Sequence, residues 1–537
     1  MTHDDLAVLI AGLRHPSAYP HAVDTVEHIE THISHVLLAG DSAYKFKKPL
    51  NLGFLDFSTL ERRRFCCEEE LRLNRRLAPD LYLDVITVNG TLDAPRIDGA
   101  GPILEYGVWM RRFPQSALLD RQPVTDALMT RLAEHIADFH AGIPVSGLGR
   151  TFGTPAQVLE PMLENLTQIR ACIDSSEDLA RLEMLETWIQ ARFEVLTPMI
   201  ERRRVEGFVR ECHGDMHRGN IALVDDQIQI FDAIEFNPNL RWIDTASEIA
   251  FLVMDLEQEG ERGAAHRFLN RYLECSGDYG ALTMLDFYKV YRALVRAKVL
   301  AIRWSQDDLP DSDAAIIRDD FARYLDLALS YTRMRRRHLL IACGLPGSGK
   351  SRLSSRLREA LPLIHLRSDV ERKRLFGLGE LARTASSVDR GIYFPRATDW
   401  TYERLHRLAD DILASGYDVL VDATFIARHR RERFQALAQR HGAGFAILAL
   451  DAPLDVLRER VTRRLARGAD VSEADLSVLE RQYASRQPLS EQEYRRALVI
   501  DTSRDAALSE LLDRVRELLD AERLPADPAQ DRPPGSA

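Results

Sequence analysis

The chain has 537 residues, too many for one hydrophobic core, so it divides into about two to four folding units. With 45% hydrophobic and 28% charged residues it has the make-up of an ordinary globular protein, and a net charge of -11 argues against a generic nucleic-acid coat. Six scattered cysteines, Cys66, Cys67, Cys172, Cys212, Cys275 and Cys343, show neither C-x-x-C nor Cys/His clustering, which excludes a disulfide framework and a zinc finger. The opening Met1 to Ile10 lacks a basic segment and its apolar run is too short for a signal peptide. No later stretch approaches a membrane span, so a cytoplasmic location is expected.

From about residue 25 to 113, short β-like runs at His35-Val-Leu-Leu, Ala43-Tyr-Lys-Phe and Val85-Ile-Thr-Val alternate with a polar helix at 59–77, predicting a small sheet-and-helix lobe. Residues 124–206 carry apolar positions at helical spacing. Strands are expected at Ile221-Ala-Leu-Val and Ile228-Gln-Ile-Phe around the turn Asp225-Asp-Gln, with helices resuming to about 335. At Leu339-Leu-Ile-Ala-Cys343 the pattern becomes that of a parallel α/β sheet. The expected organisation is thus a domain at 1–333, a second at 334–524 and a disordered Pro-rich tail at 525–537.

The segment His213-Gly-Asp-Met-His-Arg-Gly-Asn220, followed by Ile230-Phe-Asp-Ala-Ile-Glu235, sets out parts that phosphoryl transfer needs. Asp215 can accept or orient the proton of an attacking hydroxyl, while Asn220 and Asp232 offer hard oxygens to magnesium bridging ATP phosphates. The loop resembles the H-G-D-x-x-x-x-N catalytic loop of the aminoglycoside phosphotransferase-like branch of the protein-kinase fold, with His213 as its structural first residue. Trp242-Ile-Asp-Thr-Ala246 resembles that family's following W-x-D-x-A helix start, which implies that Asp244 braces the catalytic loop. The resemblance implies a bilobal kinase-like fold.

Such a site also needs a strand lysine for the α/β-phosphates and a helix glutamate to hold it. Lys45 and Lys47 share one face of their strand and both remain candidates; Glu70 is favoured for the glutamate over Glu68 and Glu69. No G-x-G-x-x-G precedes the strand, which leaves the hairpin Glu30 to Ser34 as the phosphate cover and Val108 to Phe113 as the hinge for adenine. Lys289, Arg292, Arg296 and Arg303 recur along one helix face, a basic stripe that would suit an anionic acceptor better than a cationic aminoglycoside, or else a solvated helix face.

A second phosphate motif, Gly344, Leu345, Pro346, Gly347, Ser348, Gly349, Lys350 and Ser351, fulfils G-x-x-x-x-G-K-[ST] between an apolar strand and a helix. Its glycines let backbone N–H groups wrap phosphates, Lys350 reaches the β/γ-oxygens and Ser351 ligates magnesium. Two later strands end in acids, Asp369 and Asp422, at the sheet edge where open α/β folds bind ligands. This arrangement resembles small P-loop kinases of the polynucleotide-kinase, gluconate-kinase and zeta-toxin group. That resemblance implies Asp369 as the base, Arg372 beside an anionic acceptor and Asp422 near the magnesium. Arg460, Arg463, Arg464 and Arg467 resemble the arginine lid of such kinases.

The expectation is a two-domain phosphotransferase, α/β and α+β, using ATP and Mg2+ at two separate sites on anionic or neutral small-molecule acceptors. The fused order resembles bacterial proteins that join an aminoglycoside phosphotransferase-like domain to a P-loop ATP-binding domain. Two alternatives remain: one half regulating the other by binding nucleotide, and a C-terminal polynucleotide 5'-hydroxyl kinase, which the overall acidity does not favour.

Overall fold

Within the first 111 residues, short strands with one face against the core pair into an antiparallel sheet flanked by two helices. The computed structural model describes residues 3–53, 55–305, 310–380, 382, 394–467, 474–503 and 508–521; the expected tail at 525–537 lies outside them. The chain forms two compact units, one of 1–261 with 284–332 and one of 262–283 with 333–537.

In the first unit, helix α1 (His3–Leu13) buries Leu6, Leu9, Ile10 and Leu13, a helical stripe, against Leu37, Phe46, Ile86 and Val88 of the sheet. The sheet contains β1 (Val26–Glu30), β2 (Ser34–Ala39), β3 (Ser42–Lys47), β4 (Tyr82–Thr91), β5 (Ala94–Ile97) and β6 (Ile103–Arg111) in the order β1-β2-β3-β6-β4-β5. A two-residue connection with Gly40 at φ +59° joins β2 to β3, a left-handed backbone that glycine adopts without strain. Because Tyr44 and Phe46 fill the core, the alternation of β3 sends Lys45 and Lys47 to the opposite face. Helix α2 (Leu60–Asn74) starts where the Thr59 hydroxyl accepts from Arg62 N, and buries Cys66, Cys67, Glu70, Leu73 and Asn74.

The helical remainder of this unit holds α3 (Asp126–Gly142), α4 (Pro155–Arg170) and α5 (Ser176–Val205). After β7 (Val209–Glu211) comes the His213–Asn220 loop, then the hairpin β8 (Ile221–Val224) and β9 (Gln227–Ile230). A short α6 (Pro238–Arg241) leads into β10 (Trp242–Asp244), which pairs antiparallel with β7, and α7 (Thr245–Gln258) follows. The chain then supplies α8 (Arg262–Ser276) to the second unit and continues through α9 (Ala281–Trp304) and α10 (Asp311–Tyr331). Sheet lobe and helical lobe together are the bilobal protein-kinase-like fold.

The second unit is a parallel sheet of β11 (His338–Cys343), β12 (Leu363–Arg367), β13 (Asp418–Asp422), β14 (Gly444–Asp451) and β15 (Ala497–Asp501), ordered β12-β13-β11-β14-β15. Its connections are α11 (Lys350–Ala360), α12 (Ser368–Leu375), α13 (Pro395–Ala414), α14 (Arg428–Arg440), α15 (Leu454–Arg467), α16 (Leu476–Ser485) and α17 (Glu491–Tyr494), and α18 (Leu508–Ala521) follows the last strand. Leu340 and Ala342 of the central strand pack with Leu353 and Leu357 of α11 and with Leu511 and Val515 of α18. Leu339 and Ile341, equally buried, face the other layer, where α13 and α14 lie, so helices cover both faces as in P-loop NTPases.

The division differs from a single cut at 333, and hydrogen bonding explains why. Strand β12 has a neighbour on one side only, and the buried Asn270 of α8 completes its other edge: its Nδ2 donates to Leu363 O at 3.0 Å and its Oδ1 accepts from His365 N at 2.8 Å. Glu274, one turn on, accepts from Arg367 at 3.0 Å. The six cysteines are unpaired thiols, and among the described residues no helix is long and apolar enough to cross a membrane.

Asn270→Ala orphans one buried donor and one buried acceptor, each worth about 1–3 kcal/mol. Urea unfolding of the P-loop unit should move to a clearly lower midpoint; an unchanged midpoint would remove Asn270 from its structural role.

Candidate active sites

The first site assembles around a glutamate with no exposed surface. Glu70 accepts from Lys45 Nζ at 2.9 Å through one oxygen and from Lys47 Nζ at 2.7 Å through the other. The two lysines then diverge. Lys45, partly exposed, reaches Asp232 Oδ1 at 2.5 Å, whereas Lys47 is 1% exposed and its second partner is the buried Glu235. Burial works against the charge on Lys45, but Asp232 and Glu70 outweigh it and hold the ammonium well above the ordinary lysine range. Lys45 is therefore the lysine that faces the open side, and Lys47 belongs to the core. The carboxylate of Asp232 is about half exposed on a residue with φ +64°, a left-handed backbone unusual for a side chain of this type.

The His213–Asn220 loop brings Asp215 and Asn220 together. Asn220 Nδ2 donates to Asp215 O at 2.9 Å and to Asp215 Oδ2 at 3.0 Å, so its carbonyl oxygen is the end presented to a cation. His213 is buried, and burial drives its imidazole down to about 4. In the neutral ring Nδ1 accepts from Asp215 N at 3.3 Å while Nε2 donates to Phe231 O at 2.9 Å, tying the loop to the residue before Asp232. Burial pushes the Asp215 carboxyl up, but His217, 3.5 Å away, and His213 outweigh it and keep it below the usual carboxylate range.

Several residues that hold this loop were not singled out for that role by motif. Glu248, fully buried, accepts from Gly214 N at 3.0 and 3.2 Å, and Arg292 donates to Gly214 O at 3.0 Å. Asn74 accepts from Ala233 N at 2.9 Å and donates to Glu70 O at 2.8 Å, linking α2 to the residue after Asp232. Glu211 accepts from Arg72 at 2.8 Å, and Arg76 donates to Cys212 O at 3.1 Å, so α2 also grips the base of the loop. A spacing signal existed for one of them: Asn74 follows Glu70 by four residues on one helix face.

Two sequence expectations change here. Asp244 caps α7 by accepting from Ala246 N at 2.8 Å and holds Arg203 through both oxygens at 2.7 and 2.8 Å. The direct braces of the loop are Glu248 and Arg292. Two of the four cations of the α9 stripe, Lys289 and Arg292, are not part of an acceptor surface. Lys289 is 1% exposed, pairs with Asp286 and Glu257 and lies 4.0 Å from the Tyr331 ring centre, and Arg292 is 4% exposed against Ser247 and Gly214. Arg296 donates to the Tyr324 hydroxyl, and Arg303 lies in the last turn of the helix. At Lys289 and Arg292 the cations face inward because carboxylates, carbonyls and rings receive them, while Arg296 and Arg303 are half-buried.

The second site lies where β11 ends. Gly347 and Gly349 have φ +82° and +85°, and a Cβ at Gly344 would come within 2.4 Å of Ser348 Oγ, so the loop closes only around glycine. Lys350 folds back to donate to Gly344 O at 2.8 Å and Leu345 O at 3.1 Å. Burial draws its ammonium below the ordinary lysine range, against the pull of Asp422 and Asp369. Leu345 is buried and Pro346 continues the turn. Ser351 Oγ donates to Asp422 Oδ2 at 3.1 Å. Ser348 Oγ is buried without a hydrogen-bond partner, an orphaned hydroxyl inside the cradle that suits a bound phosphate. Asp369 stands in the first turn of α12, and Arg372, one turn on, is buried with Nη1 donating to Thr398 Oγ1 at 3.3 Å.

The four lid arginines separate. Arg460 is held by Gly347 O at 3.3 Å and by Thr502 O at 2.6 Å, which makes it a strut of the phosphate loop and not a mobile lid. Arg463 is exposed and pairs with Glu459 one turn back. Arg464 donates to Ala474 O at 2.5 Å, and its charge helps to draw the Lys350 ammonium down. The side chain of Arg467 lies outside the described residues.

A family model described as an AAA domain matches residues 339–489. Among solved structures, a choline/ethanolamine kinase family protein from Mesorhizobium loti matches 62% of this chain and 100% of its own at 13% identity and a TM-score of 0.37. A gluconokinase from Sinorhizobium meliloti matches 35% of this chain and 93% of its own at 22% identity and a TM-score of 0.23. The uncharacterized protein Rv2004c of Mycobacterium tuberculosis is 32% identical over 452 residues, 82% of this chain and 87% of that protein. The uncharacterized protein Mb2027c of Mycobacterium bovis matches to the same extent. A lysine–glutamate pair beside an Asp–Asn loop in one unit, and a glycine loop with its lysine in the other, are the working parts of phosphoryl transfer, and the chain is a phosphotransferase of the kinase class. Matched over most of both lengths, it belongs to the same family as the mycobacterial protein Rv2004c.

Proposed function

We propose that the protein uses ATP and Mg2+ at two separate sites, each passing the γ-phosphoryl group to a hydroxyl of a small molecule. The observation that carries the first site is the chain of contacts from Glu70 through Lys45 to Asp232, with the Asp215–Asn220 pair on the adjoining loop. Lys45 would let go of Asp232 to hold the α/β-phosphates, while Glu70 keeps its ammonium in place. Asp232 and the carbonyl oxygen of Asn220 are the hard oxygen donors for magnesium, which, when bound, neutralises charge on the phosphates. Asp215 takes the proton of the acceptor hydroxyl. Its depressed pKa keeps it ionised, and the hydrogen bond from Asn220 fixes the oxygen that accepts.

In the P-loop unit, Lys350 would exchange its loop carbonyls for phosphate oxygens, with Ser351 and Asp422 supplying the magnesium side. Asp369 is the proposed base and Arg464 the arginine that meets developing charge. Arg372, already engaged by Thr398, is a proposed contact for the acceptor. The domains proposed to carry these activities are 1–333 and 334–524, the latter requiring α8 for a complete sheet edge.

Transfer from γ-labelled ATP to a library of sugars, amino alcohols and 5'-hydroxyl oligonucleotides tests this in the full chain. Asp215→Ala should lower one set of products by about 10²–10⁴-fold and Lys350→Ala a different set. A single variant abolishing all transfer would leave one catalyst and one regulatory half, and label confined to oligonucleotides would replace the small-molecule reading of the P-loop unit.

The two lysines of β3 should separate cleanly. Lys45→Met raises the KM for ATP and, by uncovering one oxygen of Glu70, destabilises the unit less than Lys47→Met, which takes the shared ammonium from the buried Glu70 and Glu235 and costs about 3–5 kcal/mol. Equal effects in thermal melts and kinetics would contradict the assignment.

Glu248 provides a pH test. Burial raises its carboxyl to about 7, above its ordinary value, so the favourable protonated form is fully present at low pH and its contribution to stability is lost as pH rises through 7. Glu248→Gln should flatten the stability profile between about pH 4.5 and 7, measured by urea unfolding. An unchanged profile would show that Glu248 does not titrate there.

A further inference from the structure

The hairpin of β1 and β2, whose turn from Glu30 to Ser34 is the expected phosphate cover, also carries a cluster of metal-ligating side chains. His28 and Glu30 are two apart on β1 and so project to one face, and the register sets Glu30 directly opposite His35 of β2. His28 Nε2 and His35 Nδ1 face each other at 3.0 Å, with ring centres 5.1 Å apart, and ligand atoms of His28, Glu30 and His35 all lie within 4.8 Å of one another. Tetrahedral metal–nitrogen bonds of about 2.0–2.1 Å place two ligand nitrogens about 3.4 Å apart, a few tenths from the separation seen. Lys48, itself buried, donates to Glu30 Oε1 at 2.6 Å, which orients the carboxylate and leaves Oε2 to turn toward the histidines.

We propose that His28, Glu30 and His35 form a binding site for a transition-metal dication of the zinc class. Two imidazoles and one carboxylate are the donor set that zinc, cobalt, nickel and copper prefer over magnesium and calcium. Two facing imidazole nitrogens can share only one proton between them, whereas a dication takes both lone pairs and the carboxylate at once. Glu30 is exposed, so a fourth position opens to solvent for water or an outside ligand. Because β1 is the edge strand of its sheet, the ion would clamp the free edge to β2.

The test is Co2+ and Zn2+ titration of the full chain, freed of metal by a chelator and desalted, followed by visible absorption for Co2+ and calorimetry for Zn2+. The wild type should take up one equivalent with a tetrahedral cobalt spectrum, undiminished by millimolar Mg2+. His28→Ala, at a partly exposed position, should weaken that uptake at least about 10-fold while leaving the metal-free melting temperature unchanged. Should His28→Ala lower that temperature, Glu30→Gln at the exposed position carries the same expectation. Equal affinity in wild type and variants, which would put the metal on the phosphate-site acids or cysteines, overturns the proposal. So does a wild type that binds neither ion at about 100 µM.

Discussion

A single buried carboxylate organises the kinase-like unit. Glu70 has no exposed surface, and its ionised form is tolerable only because each of its oxygens meets an ammonium group. That requirement fixes the register of β3 against α2, since the lysines must alternate on one strand face and converge on one helix turn. It also sets the direction in which force is passed on. Lys47 ends in Glu235 and Lys45 in Asp232, so both ends of the Asp232–Glu235 segment are tied to the same glutamate. The segment is thereby held with Asp232 in its left-handed backbone, its carboxylate turned outward.

The catalytic loop is held by a different logic, through backbone groups. Gly214 N gives its hydrogen to Glu248, Gly214 O receives one from Arg292, and His213 reaches across to Phe231 O. Gly214 has φ +92°, and a Cβ there would meet Leu240 O at 2.7 Å, so the position needs glycine for its conformation and for the close approach. Asp215 then emerges from a rigid frame with its acidity set by neighbours that are themselves fixed. The phosphate loop of the other unit is held likewise through its carbonyls, Gly347 O by Arg460 and those of Gly344 and Leu345 by Lys350.

Much of this was legible in the sequence because it is local. The two loops, and the strand before and helix after the second, are written in contiguous residues, and three of the six antiparallel strands and the parallel sheet follow from alternation and apolar runs. What was illegible is pairwise and distant. Nothing in the spacing of Lys45 and Lys47 distinguishes them until Glu235 and Asp232 arrive almost two hundred residues later to claim one each. The cations of α9 have the spacing of a solvated face, and only the carboxylates, carbonyls and rings brought against them turn Lys289 and Arg292 inward. Asp244 misleads for the same reason: its motif is read correctly as a helix start, but its partner Arg203 lies on a helix some forty residues earlier.

The order in which the chain is laid down gives the Asn270 bridge a further meaning. Helix α8 precedes β12 by almost ninety residues, so a ribosome delivers the cover before the edge it protects. When β12 and β13 pair, their exposed border finds its amide partner already synthesised, and the interval during which a bare strand could recruit another chain is shortened. A gene split at 333 reverses that sequence of events. The downstream product would fold with an uncovered strand, prone to association, while the upstream product would carry a helix with nothing to cover.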